Sequence, residues 1–128
     1  MRWLVDGMNV IGSRPDRWWR DRPAAMRRLV GALAEFARES GVDVTVVFDG
    51  RPPKPPPEAA GVEVVFARRR GRNAADDEIA RLVADDPAPD SIRVVTSDNE
   101  LAERVREHGA DVEGAGGFRR RLERESAG

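Results

Sequence analysis

A parallel β-sheet wrapped by helices is the fold predicted for this chain, and three features predict it. Short β-branched runs alternate with stretches of helical periodicity. The connections between them are short. Strand after strand stops at an aspartate. The expectation is an α/β fold of about five parallel strands with helices on both faces, built as one domain from 128 residues.

The first strand is Arg2 to Val5, which stops at Asp6, with a glycine turn at Gly7 and Asn9 three positions on. Val10 to Arg22 reads as a long polar connection punctuated by Pro15 and Pro23. It carries Trp18-Trp19 among Arg17, Arg20 and Arg22. Paired indoles among guanidiniums suit base stacking, while plugging the edge of the core is the plainer role for at least one of them. Pro23 starts a helix, a good first-turn residue. Met26, Leu29, Val30, Leu33, Phe36 and Ala37 form its buried stripe, and Ser40-Gly41 ends it. Val42 to Phe48 is a nearly continuous apolar run, as in a strand covered on both faces, and it ends at Asp49-Gly50.

Arg51 to Pro57 is proline-rich and irregular. Val62 to Phe66 is the third strand. The run Arg68-Arg69-Arg70-Gly71-Arg72 follows, and Asn73 begins a helix whose first turn holds Asp76 and Asp77. Asp85 to Asp90 is a loop, Ile92 to Val95 the fourth strand, and Thr96-Ser97-Asp98-Asn99 its end. Ser97 and Glu100 fit a capping box for the next helix, which Gly109 closes. Ala110 to Val112 is a short fifth strand, Gly114 to Gly117 a flexible link, and Phe118 to Arg124 a short basic terminal helix.

Composition narrows the chemistry. The absence of cysteine removes disulfides, zinc–thiolate sites and thiol nucleophiles. Net charge is -1 with 35% of residues charged, and every base except Lys54 and His108 is arginine. Bidentate phosphate contact and a GC-rich coding sequence explain that skew equally well. No apolar segment is long enough for a signal h-region or a membrane span, so a cytoplasmic protein is expected.

The carboxylates carry the functional argument. Right-handed crossovers point every strand's carboxyl end the same way, so Asp6, Asp49, Asp98 and the helix-opening Asp76 and Asp77 arrive at one edge. Neighbouring strands lie about 4.8 Å apart, and acids that close repel unless a cation sits between them. Hard divalent ions, Mg²⁺ or Mn²⁺, take such ligands. Each acid also has a plain role as a cap or turn residue; it is their conjunction that points to a site. Aspartyl phosphoryl chemistry wants a lysine at a late strand end, and Lys54 lies among prolines. Gly7 to Gly12 lacks the second glycine of a dinucleotide fingerprint. His108, at a helix end, serves as a cap rather than an acid or base. Metal-dependent phosphodiester cleavage remains, in which bound metal activates a water and stabilises the leaving oxygen. Arg68, Arg69, Arg70 and Arg72 would hold the nucleic acid, with Arg14, Arg51 and Arg119 to Arg121 as weaker candidates.

With these residues in place, the chain resembles the YacP-like group of NYN domains, a branch of the PIN-like nucleases. The matching stretches are Val5-Asp6-Gly7-Met8-Asn9-Val10-Ile11-Gly12, Val46-Val47-Phe48-Asp49-Gly50, Ala75-Asp76-Asp77-Glu78-Ile79 and Val94-Val95-Thr96-Ser97-Asp98, followed by Gly109-Ala110-Asp111-Val112 and the Phe118 segment. The resemblance implies a Rossmann-like sheet and an Mg²⁺- or Mn²⁺-dependent endoribonuclease of RNA processing or decay, leaving 5′-phosphate and 3′-hydroxyl ends. Ribosome docking is proposed for parts of that family. It also implies that Asp6, Asp76 and Asp98 form the catalytic metal-binding core, with Asp49 as a supporting acid. Asn9 would orient Asp6 or touch substrate, and Asp77 and Ser97 would stand behind the ligands. The chain is shorter than many members, and its Arg51 to Pro57 segment is proline-rich where a substrate-facing connection is expected. Two other functions fit the same residues: a non-catalytic RNA-binding module, and a PIN-like toxin with an antitoxin partner. DNA also remains open as the substrate. Trp3, Trp18 and Trp19 are candidates for a dimer surface.

Overall fold

A computed structural model describes residues 1–67 and 74–127. Among these, β1 (Arg2–Asp6), β2 (Asp43–Asp49), β3 (Val62–Ala67), β4 (Ile92–Val95) and β5 (Asp111–Glu113) form one sheet. Its order is β3-β2-β1-β4-β5 and every pairing is parallel. The helices are α1 (Gly7–Gly12), α2 (Arg22–Ser40), α3 (Ala74–Asp85), α4 (Asn99–Glu107) and α5 (Ala115–Ala127), with 3-10 turns at Trp18–Asp21 and Pro89–Ser91. None of the described helices is long and apolar enough to cross a membrane.

The two-residue period of a strand sorts its side chains onto the two faces of the sheet. Trp3 and Val5 of β1 and Val44, Val46 and Phe48 of β2 join α1, α2 and α5 in one core layer. Leu4, Val47, Ile92 and Val94 join α3 and α4 in the other. Asp21 starts α2 by accepting a hydrogen bond from the Ala24 amide at 3.1 Å. Gly41 ends it in the left-handed conformation (φ 67°), its N–H donating to Ala37 O at 2.9 Å.

Three expectations need correction. Val10 to Arg22 is not a connection throughout, because the chain coils into α1 directly after Asp6. Val10 and Ile11 are buried there, so tertiary packing makes this helix despite its terminal glycines. Gly114 to Gly117 is not a link either: α5 begins at Ala115, its first turn secured by the Phe118 N–H donating to Gly114 O at 3.0 Å. Finally, Trp3 is 4% exposed, stacked on Phe118 (5.5 Å between centroids) and edge-on to Phe36 (5.1 Å), so it belongs to the core rather than to a dimer surface.

The strand order positions the site. From β1 the chain builds outward through β2 to β3, then returns to lay β4 on the other side of β1. Connections leaving the ends of β1 and β4 therefore diverge onto opposite faces and open a crevice between them, the topological switch point at which such sheets bind ligands.

Gly7 makes the sharp exit from β1 possible. A Cβ there would lie 2.5 Å from two ring carbons of Phe48 and 3.0 Å from Val46 Cγ2, and Phe48 is fully buried with no room to yield. Gly7→Ala should cost about 1–3 kcal/mol through overpacking, read as a lower urea midpoint. A change under about 0.5 kcal/mol would show that α1 is free to shift.

Candidate active site

Asp6 stands at the end of β1, 5% exposed. Its Oδ2 accepts from the Thr96 hydroxyl at 3.0 Å, and its carboxylate also accepts from the Asn9 backbone N–H. Thr96 Oγ1 in turn accepts from the Asp98 amide at 3.1 Å. One buried hydroxyl therefore ties the acid after β1 to the segment carrying the acid after β4. The one signal Thr96 gives in the sequence is a polar residue placed directly after the buried Val94 and Val95 of β4. Asn9 ties the same ends together from the other side, its Oδ1 accepting from the Ser97 N–H at 2.8 Å.

Asp98, not Ser97, caps α4: its Oδ1 accepts from the Leu101 N–H at 2.9 Å. Ser97 is used elsewhere, its Oγ accepting from the Ala115 N–H at 2.9 Å and anchoring the start of α5. Asp49 Oδ1 accepts from the Ala75 N–H at 3.0 Å, so the acid ending β2 fixes the first turn of α3 and with it Asp76. Asp77 pairs with Arg104 of α4 at 2.9 Å, clamping α3 to α4.

Electrostatics makes Asp76 the centre of the group. It feels Asp98, Asp49 and Asp77, opposed by Arg104, and partial burial together with these acids pushes its pKa up to about 6. Burial, chiefly, pushes Asp6 up to about 7; the Thr96 hydrogen bond pulls the other way, and Asp76 and Asp49 add to the rise. Among the described residues, no three acidic or histidine side chains are drawn into a closed cation cage. The acids instead share an edge, with Asp76 within electrostatic reach of Asp6, Asp49 and Asp98. The donor set suits a hard divalent cation: it is carboxylate oxygen throughout, and the acids acting on Asp76 outnumber its one opposing guanidinium. His108 lies at the far end of α4 from Asp98, a helix length of about 14 Å away.

The arginine candidates separate. Arg14 is paired with Asp16 (3.4 Å) and Glu123 (3.2 Å) beside α5, so its charge is already engaged away from the acids. Arg119 is bonded to Ser13 and Glu123. Arg121 packs its guanidinium over Trp3, Phe36 and Phe118, a structural role. Arg51 is exposed just beyond Asp49. Arg68, Arg69, Arg70, Arg72 and the expected helix start at Asn73 lie outside the described residues.

Comparison with known proteins agrees with this architecture. The family model of the YacP-like NYN domain matches residues 3–128. The chain is similar to the crystal structure of Rae1 (YacP) from Bacillus subtilis, with 29% identity over 96% of this chain and 74% of that one and a TM-score of 0.80. The W164L mutant of the same protein gives the same identity and coverage with a TM-score of 0.77. No curated protein sequence matches.

The raised acids give the metal-free protein a distinctive pH dependence. Below the ordinary value of 3.8 Asp6 is protonated in both folded and unfolded chains, and its contribution to stability is complete. As pH rises toward about 7 the unfolded chain gives up that proton first, so stability falls across this window. Asp76 acts in the same direction up to about 6. In chelator, the parent should lose about 3 kcal/mol more than Asp6→Asn between pH 5 and pH 8, by urea unfolding. Parallel profiles for the two proteins would contradict the burial of an unneutralised carboxyl at Asp6.

Proposed function

This chain belongs to the YacP-like NYN domain family, and we propose on that footing that it is a divalent-metal-dependent endoribonuclease cleaving RNA phosphodiester bonds. The observation that carries the reading is the meeting of Asp6, Asp49, Asp76 and Asp98 at the switch point, where Asp6 is buried and, among the described residues, Arg104 is the one cation set against the acids around Asp76.

Asp6, Asp76 and Asp98 would hold Mg²⁺ or Mn²⁺, with Asp49 in support. Bound there, such a cation lowers the pKa of water and stabilises charge on the departing oxygen. The chain's own residues set the stage for that chemistry. Thr96 holds the Asp6 carboxylate in place and ties it to the backbone of Asp98. Asp98 is fixed by its cap on α4 through Oδ1, and among the described residues its Oδ2 has no hydrogen-bond partner. Asn9 spends Oδ1 on the Ser97 amide, which leaves its Nδ2 hydrogens to donate to a phosphate oxygen. Asp77 keeps Arg104 against α3, so the two helices that present Asp76 and Asp98 hold their spacing. Arg51, next to the acids, and Arg68, Arg69, Arg70 and Arg72, between β3 and α3 in the chain, are assigned to phosphate contact.

Asp98→Asn tests this reading cleanly, because Asn also caps helices well and the fold should persist. With Mn²⁺ and a single-stranded RNA, the variant should cut at least about 100-fold more slowly than the parent at unchanged circular dichroism, and chelator should silence the parent. Cleavage by the variant at the parental rate would refute the assignment. RNA bound but never cut by the parent would favour a non-catalytic RNA-binding module.

A further inference from the structure

We propose that the Arg17–Arg20 turn is a base-stacking platform, on which an unpaired base of the RNA substrate stacks against the exposed ring of Trp19 between flanking guanidiniums. The substrate class rests on the nuclease reading above; the platform rests on separate observations.

The two adjacent tryptophans have been given different environments. Trp18 is half-buried and packs against the core layer of α1, α2 and α5. Trp19 is 62% exposed, and apart from Met1 it is the one large apolar side chain left in water among the described residues. Its ring is not free to wander. Trp18 meets it edge-to-face, with centroids 6.1 Å apart and planes at 84°. The anchored indole thus buttresses the exposed one and leaves an aromatic face to solvent. A rigid exposed ring of this kind is what sequence-tolerant stacking of single-stranded bases requires.

The charges around it match a polyanion. Arg17 and Arg20 flank the pair, and Arg28 lines the apolar groove, about 400 Å³, that Trp18 helps to wall. All three are exposed, and none of their guanidiniums has a hydrogen-bond or ion-pair partner among the described residues. The Asp16 and Glu123 carboxylates nearby are instead taken up by Arg14. Arg17 is also held at φ 57°, the only described residue other than glycine in the left-handed region. Such strain persists only where the surroundings impose it, and here it turns the chain from the 13–16 segment into the tryptophan pair.

The platform stands at the edge where the acids gather. Asp21, directly after the Arg17–Arg20 turn, caps α2. The next residue, Arg22, donates from Nη2 to Asp49 O at 2.9 Å, at the end of β2. An RNA strand reaching Asp49 and Asp76 therefore passes within reach of Trp19.

The test uses the full chain in chelator, where RNA is bound and not cut. Fluorescence anisotropy compares the parent, Trp19→Ala and Trp19→Phe on a labelled single-stranded 12-mer and on a blunt RNA duplex. Trp19→Ala should bind the single strand about 10-fold more weakly, Trp19→Phe should recover most of that loss, and duplex binding should not change. Scanning a single abasic nucleotide along the 12-mer should weaken the parent at one position to which Trp19→Ala is indifferent. Equal binding of the single strand by parent and Trp19→Ala overturns the platform, whatever the cleavage result. So does loss of self-association in Trp19→Ala with RNA binding intact, which would mark an interface between copies. A parent that binds no RNA overturns the platform together with the nuclease reading. A parent that binds through Trp19 yet never cuts with Mn²⁺ overturns the nuclease reading alone.

Discussion

Four carboxylates at one sheet edge repel one another, and much of the local structure is what it takes to hold them there. The central contact is the Thr96 hydroxyl, which donates to Asp6 and accepts from the Asp98 amide in a fully buried position. It joins the ends of β1 and β4, the two strands whose following helices depart to opposite faces. Without that tie the crevice could open freely under the repulsion of the acids on its walls. Asn9 and Ser97 add a second and a third stitch, from α1 to the β4 end and from there to α5.

The acids themselves are part of the framework. Asp49 and Asp98 each use Oδ1 to satisfy a backbone amide in the first turn of a helix, where a negative charge is also favoured by the helix dipole. A capping role does not exclude the ligand role proposed above, because a carboxylate has two oxygens. One fixes the helix and so fixes the position of the other. Asp76 needs no bond of its own to be well placed, since Asp49 secures the turn in which it sits.

Local patterns and distant contacts differ in how far they can be read from the chain. The strands and their order along the chain were legible because β-branched runs and helical stripes are strong local signals, and the acids at their ends were legible because they recur. Local structure made by distant partners leaves no such signal. Gly7 looks like a turn and Val10 onward like a connection, yet Gly7 to Gly12 is a helix because Val10 and Ile11 are buried and Gly7 fits against Phe48. Gly116 and Gly117 look like a link, and become helix because Ala115 and Phe118 are drawn into the core. Ser97 looks like the cap of α4, but a contact to Ala115 claims its hydroxyl and leaves the cap to Asp98. Thr96 acts through a partner ninety positions away in the chain, which no local pattern reveals. Arg14 looked available for RNA, yet its charge is engaged by Asp16 and by Glu123 of α5.

The central claim is that these acids form one cation site with Asp76 at its electrostatic centre. Calorimetric titration of Mn²⁺ into the purified protein and into Asp76→Asn tests it most directly, since Asp76 is partly exposed in the first turn of α3 and its neutral isostere should leave the fold alone. The account predicts saturable Mn²⁺ binding by the parent that is lost in the variant. Undiminished binding by Asp76→Asn, or no binding by the parent with and without RNA, would contradict it.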